Sequence, residues 1–124
     1  MTPLEITALI IGGGLGAGAR YLVDGAVMQG RRGVFPLGIL VVNLIGSFLL
    51  GLLVGLPPVA PAWMSILGVG VLGGFTTFST VAVETVLLAQ RGRRDWALWN
   101  LFGTALACVI AAALGIMIGG MFPR

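Results

Sequence analysis

The chain is poor in charge and in the residues that carry most enzyme chemistry. Its 124 residues include no histidine, no lysine and one cysteine, and only 9% are charged, whereas 58% are hydrophobic. Because soluble domains carry about 25% charged residues, this composition indicates an integral membrane protein. The length suits a single all-α domain over residues 1–124 with four membrane-spanning helices.

These absences exclude several functions. Zinc, haem and Ser-His-Asp sites need histidine or several thiolates, and the lone Cys108 supplies neither. The sequence therefore predicts that the protein is not an enzyme. The seven basic residues, all arginines, do not form the dense cationic surface that nucleic acid requires, so no nucleic-acid partner is expected.

The apolar runs and the capping residues at their ends indicate where the four spans lie. Thr2, Pro3 and Glu5 match a capping box at the start of the first helix, which is expected to fade near Asp24. Asp95 is expected to cap the fourth helix. Glycine pairs four residues apart predict close helix packing at 12 and 16, 14 and 18, 51 and 55, 70 and 74, and 115 and 119. The predicted spans cover about 4–23, 36–56, 62–89 and 96–120.

The segment GGFTTFST at 73–80 is the strongest local signal. It lies near the centre of the third apolar run, where two glycines followed by two β-branched threonines make a poor continuous helix. One interpretation is a broken helix whose freed carbonyls bind a cation. The other is a continuous helix in which threonine hydroxyls bond back to the preceding turn.

A few other polar residues are expected at membrane depth. Asn43 offers an amide that donates to an anion or bridges two helices. Asn100, Thr104 and Cys108 form one stripe at i, i+4 and i+8, which lines a water-filled path or packs against polar neighbours. Glu84 is either a buried anchor, with Arg20 as its ion-pair partner, or a proton-coupling group.

The arginines favour one orientation. The positive-inside rule places the loops 24–35 and 90–95 in the cytoplasm, because they hold five of the seven arginines. So few fixed charges also permit insertion in both orientations.

Three segments together resemble one known family. GGGLGAGARY at 12–21, VNLIGSFLLG at 42–51 and GGFTTFSTVAVE at 73–84 are similar to the CrcB, or Fluc, family of fluoride channels. This resemblance implies an antiparallel dual-topology dimer in the cell inner (plasma) membrane, with a broken third helix. It also implies passive export of fluoride.

The resemblance also implies roles for individual residues. The fluoride pathway would include Asn43, Phe78, Ser79, Thr80 and Thr104. Arg20 would lie near the vestibule, and Glu84 would be a vestibule or structural residue. The carbonyls of Gly73 and Thr76 from both subunits would hold a structural, non-transported sodium ion.

The chain departs from the family pattern at two positions. Val81 replaces the second phenylalanine of the usual F-S-T-F, and Asn100 replaces the usual tyrosine that opens the stripe. A homodimer is expected, but Val81 leaves open a heterodimer in which a homologue supplies the missing ring. Two other functions are alternatives to a fluoride channel. One is a small multidrug-resistance-type proton-coupled exporter, and the other is a non-transporting assembly subunit.

Overall fold

The molecule is a bundle of four long helical spans. It was analysed as a computed structural model that describes residues 1–31 and 34–124, so Arg32, one of the loop arginines counted above, lies outside the described residues. Within those ranges every regular element is a helix. The predicted all-α class and the four spans are confirmed. The spans, each long and apolar enough to cross a membrane, are Pro3–Met28, Leu37–Gly55, Pro61–Gln90 and Arg94–Gly119.

The first span starts where the sequence predicts. Thr2 Oγ1 accepts from the Glu5 backbone N–H at 3.2 Å, and the Thr2 N–H donates to Glu5 Oε2 at 2.8 Å. This pair of bonds is the predicted capping box, and Pro3 opens the helix.

The predicted end of the first span is wrong. The helix does not fade at Asp24 but continues one turn to Met28, after which Gln29 adopts a left-handed conformation with φ 50°. The Arg31 guanidinium donates to the carbonyls of Val27 and Met28 at 3.0 Å, so the last turn has partners for its free acceptors. This left-handed termination determines the end of the helix.

The start of the fourth span also differs from expectation. Asp95 does not cap it, since the helix begins at Arg94 and has no side-chain cap. Instead, the Asp95 carboxylate accepts two bonds from the Arg93 guanidinium, at 3.1 and 3.2 Å. Arg93 also stacks on the Trp96 ring, with Cζ 3.6 Å from the centroid.

Glycines allow the spans to approach closely, as predicted. A methyl group on Gly16 would collide with the Val71 carbonyl of the third span, and one on Gly51 would collide with the Ala112 carbonyl of the fourth. The first span therefore packs on the third, and the second packs on the fourth. The pair at 14 and 18 makes no such contact with the described residues 1–31 and 34–124, none of which lies within 4 Å of either Cβ position outside the local helix.

The third span is interrupted. Its first half runs from Pro61 through a π-helical segment, Ser65–Leu72, to a short turn, Gly73–Phe75, and its second half is Ser79–Gln90. Thr76 to Phe78 form the break between them. The predicted break is confirmed, and the binding of a cation by its carbonyls stays a prediction.

Candidate functional site

The break is built from residues that end one helix and start another. The Thr76 N–H and hydroxyl both bond to the Leu72 carbonyl at 3.0 Å, and Thr76 then becomes extended, with φ −80° and ψ 158°. The glycines before it remain helical, so the break lies after them. Gly74 has a packing role instead, since a methyl group there would collide with the Gly13 carbonyl of the first span.

Asn43 replaces the missing helical bonds at the break. Its Nδ2 donates to the Thr77 carbonyl at 2.9 Å, and its Oδ1 accepts from the Thr77 N–H at 2.8 Å. Asn43 is only 7% exposed, so these bonds lie in the interior. The bridge between helices that the sequence offered as one interpretation is present. Because the amide carries a second N–H, the anion-donor role stays a prediction.

Thr77 organises the start of the second half. Its Oγ1 accepts from the Thr80 N–H at 3.1 Å, as a capping residue does, and donates to the Thr80 hydroxyl at 3.0 Å. Ser79 Oγ lies 3.3 Å from Thr77 Oγ1. Thr77 was missed among the predicted site residues. The available signal was its position three residues before Thr80, the spacing of a helix cap.

These bonds affect the two carbonyls that the resemblance assigns to sodium. In a continuous helix the Gly73 carbonyl would accept from the Thr77 N–H, and the Thr76 carbonyl would accept from the Thr80 N–H. Here the Thr77 N–H donates to Asn43 and the Thr80 N–H donates to the Thr77 hydroxyl. Both carbonyls therefore lose their usual donors. Neutral oxygens of this kind fit a hard cation such as sodium.

A cavity of about 370 Å³ opens beside the break and brings several predicted residues together. Gly73 and Phe78 border it, whereas Ser79 and Thr80 do not. No arginine, aspartate or glutamate lines this cavity among the residues that the structure describes. Its polar lining consists of Asn43, Ser47, Thr76, Thr77, Thr104 and Cys108.

Thr104 is the unusual member of this lining. The residue is 6% exposed, and its Oγ1 has no hydrogen-bond partner within residues 1–31 and 34–124. A buried hydroxyl without a partner costs about 1–3 kcal/mol. A bound polar species beside Thr104 would remove that cost.

Positions 78 and 81, which are both phenylalanine in the usual F-S-T-F of the resembled family, differ in exposure. Phe78 is 79% exposed in the single chain and projects outward at the edge of the cavity, while Val81 is 4% exposed and forms part of its wall. The phenylalanine therefore has most of its ring free to contact another molecule.

A second, more polar cavity of about 280 Å³ is lined in part by Thr80. Glu84 borders it but makes no ion pair with Arg20, which does not line it. In the part of the chain that the structure describes, the one ion pair within 4.0 Å joins Arg93 and Asp95. The proposed Arg20 partner of Glu84 is therefore not observed. The charged groups at this cavity are Asp24, Arg31, Glu84 and Arg91.

Comparison of the sequence with known proteins identifies its family. The family model described as CrcB-like protein, Camphor Resistance (CrcB), matches residues 7–116. The chain belongs to the CrcB family. The resemblance based on the three motifs is thereby confirmed, and this CrcB protein is a membrane protein with four spans.

Relatives of this CrcB chain carry channel names. It is 44% identical to the fluoride-specific ion channel FluC 1 of Leifsonia xyli, with 98% of this chain and 90% of that protein covered. It is 43% identical to the fluoride-specific ion channel FluC of Magnetococcus marinus, with 94% and 98% covered. For FluC 1 of Rubrobacter xylanophilus the identity is 41%, and 96% of each chain is covered.

Proposed function

We propose that this CrcB protein is a fluoride channel that lets fluoride leave the cytoplasm passively through the cell inner (plasma) membrane. The observation that carries the proposal is the 370 Å³ cavity, whose lining is neutral and includes the buried, unpartnered Thr104 hydroxyl. Membership of a family with many fluoride-specific relatives supports the same conclusion.

The cavity suits a small, strongly hydrated anion. Fluoride gives up its water shell only where several donors converge, and a fixed positive charge would hold it too tightly to leave. Asn43 offers its second amide N–H, Thr104 offers its hydroxyl, and Phe78 offers the positive edge of its ring. These three neutral donors bind fluoride without trapping it.

The hydroxyls around the break extend the pathway. Thr77 lines the first cavity and bonds to both Ser79 and Thr80, while Thr80 also borders the second cavity. Fluoride would pass along this chain of hydroxyls toward the second cavity, which is charged and is bordered by Glu84. Arg20 does not line that second cavity.

The proposed assembly is an antiparallel dimer with two pathways. Phe78 supports it, because a 79% exposed ring beside a break at membrane depth is suited to contact a second copy. We infer a homodimer. Val81 leaves the heterodimer as the alternative, in which a homologue would supply the second phenylalanine ring to one of the two pathways.

The direct test is anion efflux from liposomes that contain only this purified chain. With a potassium diffusion potential applied, fluoride should leave at least about 100 times faster than chloride, a difference of about 3 kcal/mol between the two anions. Protein-free liposomes serve as the control. Equal release of both anions, or release of neither, would contradict the proposal for the lone chain.

A structural sodium ion is the second part of the proposal. The Gly73 and Thr76 carbonyls, whose helical donors are diverted, would hold it together with the same carbonyls of the second copy. It would neutralise the partial negative charge of these oxygens and keep the break in one conformation. It is not transported.

Removal of sodium should therefore abolish fluoride efflux without unfolding the spans. At a sodium concentration 100 times its Kd, the ion stabilises its bound state by about 2.7 kcal/mol, so its loss should reduce efflux on the order of 100-fold. Efflux would be measured with N-methylglucamine in place of sodium, and helix content by circular dichroism. Full efflux in sodium-free and lithium-free buffer would refute the sodium site.

A further inference from the structure

A buried polar contact joins two walls of the 370 Å³ cavity from behind. Asn100 is 1% exposed and does not line the cavity, but its neighbour Leu101 and Thr104, one turn further on, do. From the second half of the third span, Val81 also lines the cavity. Asn100 therefore lies where the fourth span meets the second half of the third.

Three hydrogen bonds make up this contact. Asn100 Nδ2 donates to the Val81 carbonyl at 3.2 Å and to Thr85 Oγ1 at 2.9 Å. Thr85 Oγ1 in turn donates to the Val81 carbonyl at 2.7 Å. The Asn100 amide thus donates both to the Val81 carbonyl and to the Thr85 hydroxyl, and that hydroxyl is itself hydrogen-bonded to the same carbonyl.

The local backbone places Asn100 for this contact. It lies in a π-helical segment, Trp99–Gly103, which widens the fourth span between the helical turns on either side. π-Helical segments are rare in proteins overall, and those that occur are often found at functional sites. The two positions at which this chain departs from the family pattern, 81 and 100, are thus in direct contact.

We propose that Asn100 is a positioning residue that sets the anion selectivity of the pathway. By tying the Val81 carbonyl and Thr85 to the fourth span, it fixes the separation of two residues that line the cavity, Val81 and Thr104. A smaller separation favours fluoride, whereas a looser wall admits water and the larger chloride ion. This inference rests on the proposed channel function.

The test compares variants in the efflux assay. Asn100→Leu removes both donated bonds at similar volume, and Thr85→Val removes the hydroxyl that joins them. Each should lower the fluoride-to-chloride efflux ratio by about tenfold, and the double variant should be no worse than Asn100→Leu, because all three bonds belong to one unit. Thr85→Ser, which keeps the hydroxyl, should retain the wild-type ratio.

Thr7→Val is the matched control, since Thr7 Oγ1 makes an exposed bond to the Pro3 carbonyl at 2.8 Å, far from the cavity. A wild-type ratio in both Asn100→Leu and Thr85→Val, with only the melting temperature reduced, would show a merely structural role and overturn the inference. So would additive effects in the double variant.

A readout that does not depend on flux separates this inference from the proposed function. Cys108 lines the cavity and is a free thiol, so its rate of reaction with a water-soluble methanethiosulfonate reagent reports access to the cavity. The thiolate attacks the reagent, forms a mixed disulfide and releases methanesulfinate. Asn100→Leu and Thr85→Val should raise this rate about tenfold, because the wall has loosened.

Unchanged labelling in both variants would overturn the positioning role, even if the wild type conducts fluoride. Conversely, a wild type that carries no fluoride would contradict the proposed function. In that case a raised labelling rate would still support the tie between the walls, whereas the effect on anion selectivity would fail together with the proposed function.

Discussion

Replacing Asn43 by leucine is expected to reduce fluoride efflux on the order of 100-fold or more, because two buried backbone groups would each lose a bond worth about 1–3 kcal/mol. Leucine cannot bind the Thr77 N–H or carbonyl, which Asn43 holds at 2.8 and 2.9 Å. The break would then lose the contact that replaces its helical bonds. The pathway would lose its amide donor at the same time.

A second variant separates these two effects. Asn43→Asp keeps an acceptor for the Thr77 N–H, but an ionised carboxylate offers no donor to the Thr77 carbonyl or to an anion. It should therefore retain more of the folded protein than Asn43→Leu and still fail to conduct. Size-exclusion chromatography and circular dichroism would report folding, and liposome efflux would report transport. Wild-type efflux in Asn43→Leu would refute the role given to this residue.

The second large effect is expected at Gly16. A methyl group there would collide with the Val71 carbonyl and lie 2.9 Å from the Phe75 backbone nitrogen, and neither backbone atom can move away easily. Overpacking of this kind costs about 1–3 kcal/mol, and more where backbone must shift. Gly16→Ala should therefore separate the first span from the third and lower the thermal midpoint in detergent by several degrees.

Gly25→Ala is the matched control in the same helix, since no other part of the chain that the structure describes lies within 4 Å of its Cβ position. Its thermal midpoint should stay at the wild-type value. If both variants unfold alike, the loss would come from the glycine substitution itself rather than from the contact with the third span. The packing explanation would then fail.

Much of the architecture follows from short stretches of sequence. A bilayer requires about 20 apolar residues for each helix, so four such runs determine the number of spans without knowledge of their packing. The capping box at Thr2 and Glu5 is equally local, because both partners lie within one turn. The break near 76 follows from poor helix formers placed together at the centre of the third run.

The end of the first span shows where local signals are insufficient. Asp24 and Gly25 suggest a helix end, but Asp24 lies so close to the second span that a methyl group on Gly38 would collide with its carboxylate. The helix therefore continues through these residues to Met28. Packing against a neighbouring span outweighs a weak local preference.

For the candidate site, too, local sequence predicted one part and tertiary packing decided the other. The sequence alone identified a chain of four spans, the segment of the third span where a break was one of two interpretations, and the few polar side chains available at membrane depth. Only the tertiary structure decided that Asn43 binds Thr77, 34 residues away, and that Asn100 binds Thr85, 15 residues away. The physical reason is that composition determines which groups need a partner in an apolar medium, whereas the partner itself depends on which helix faces meet.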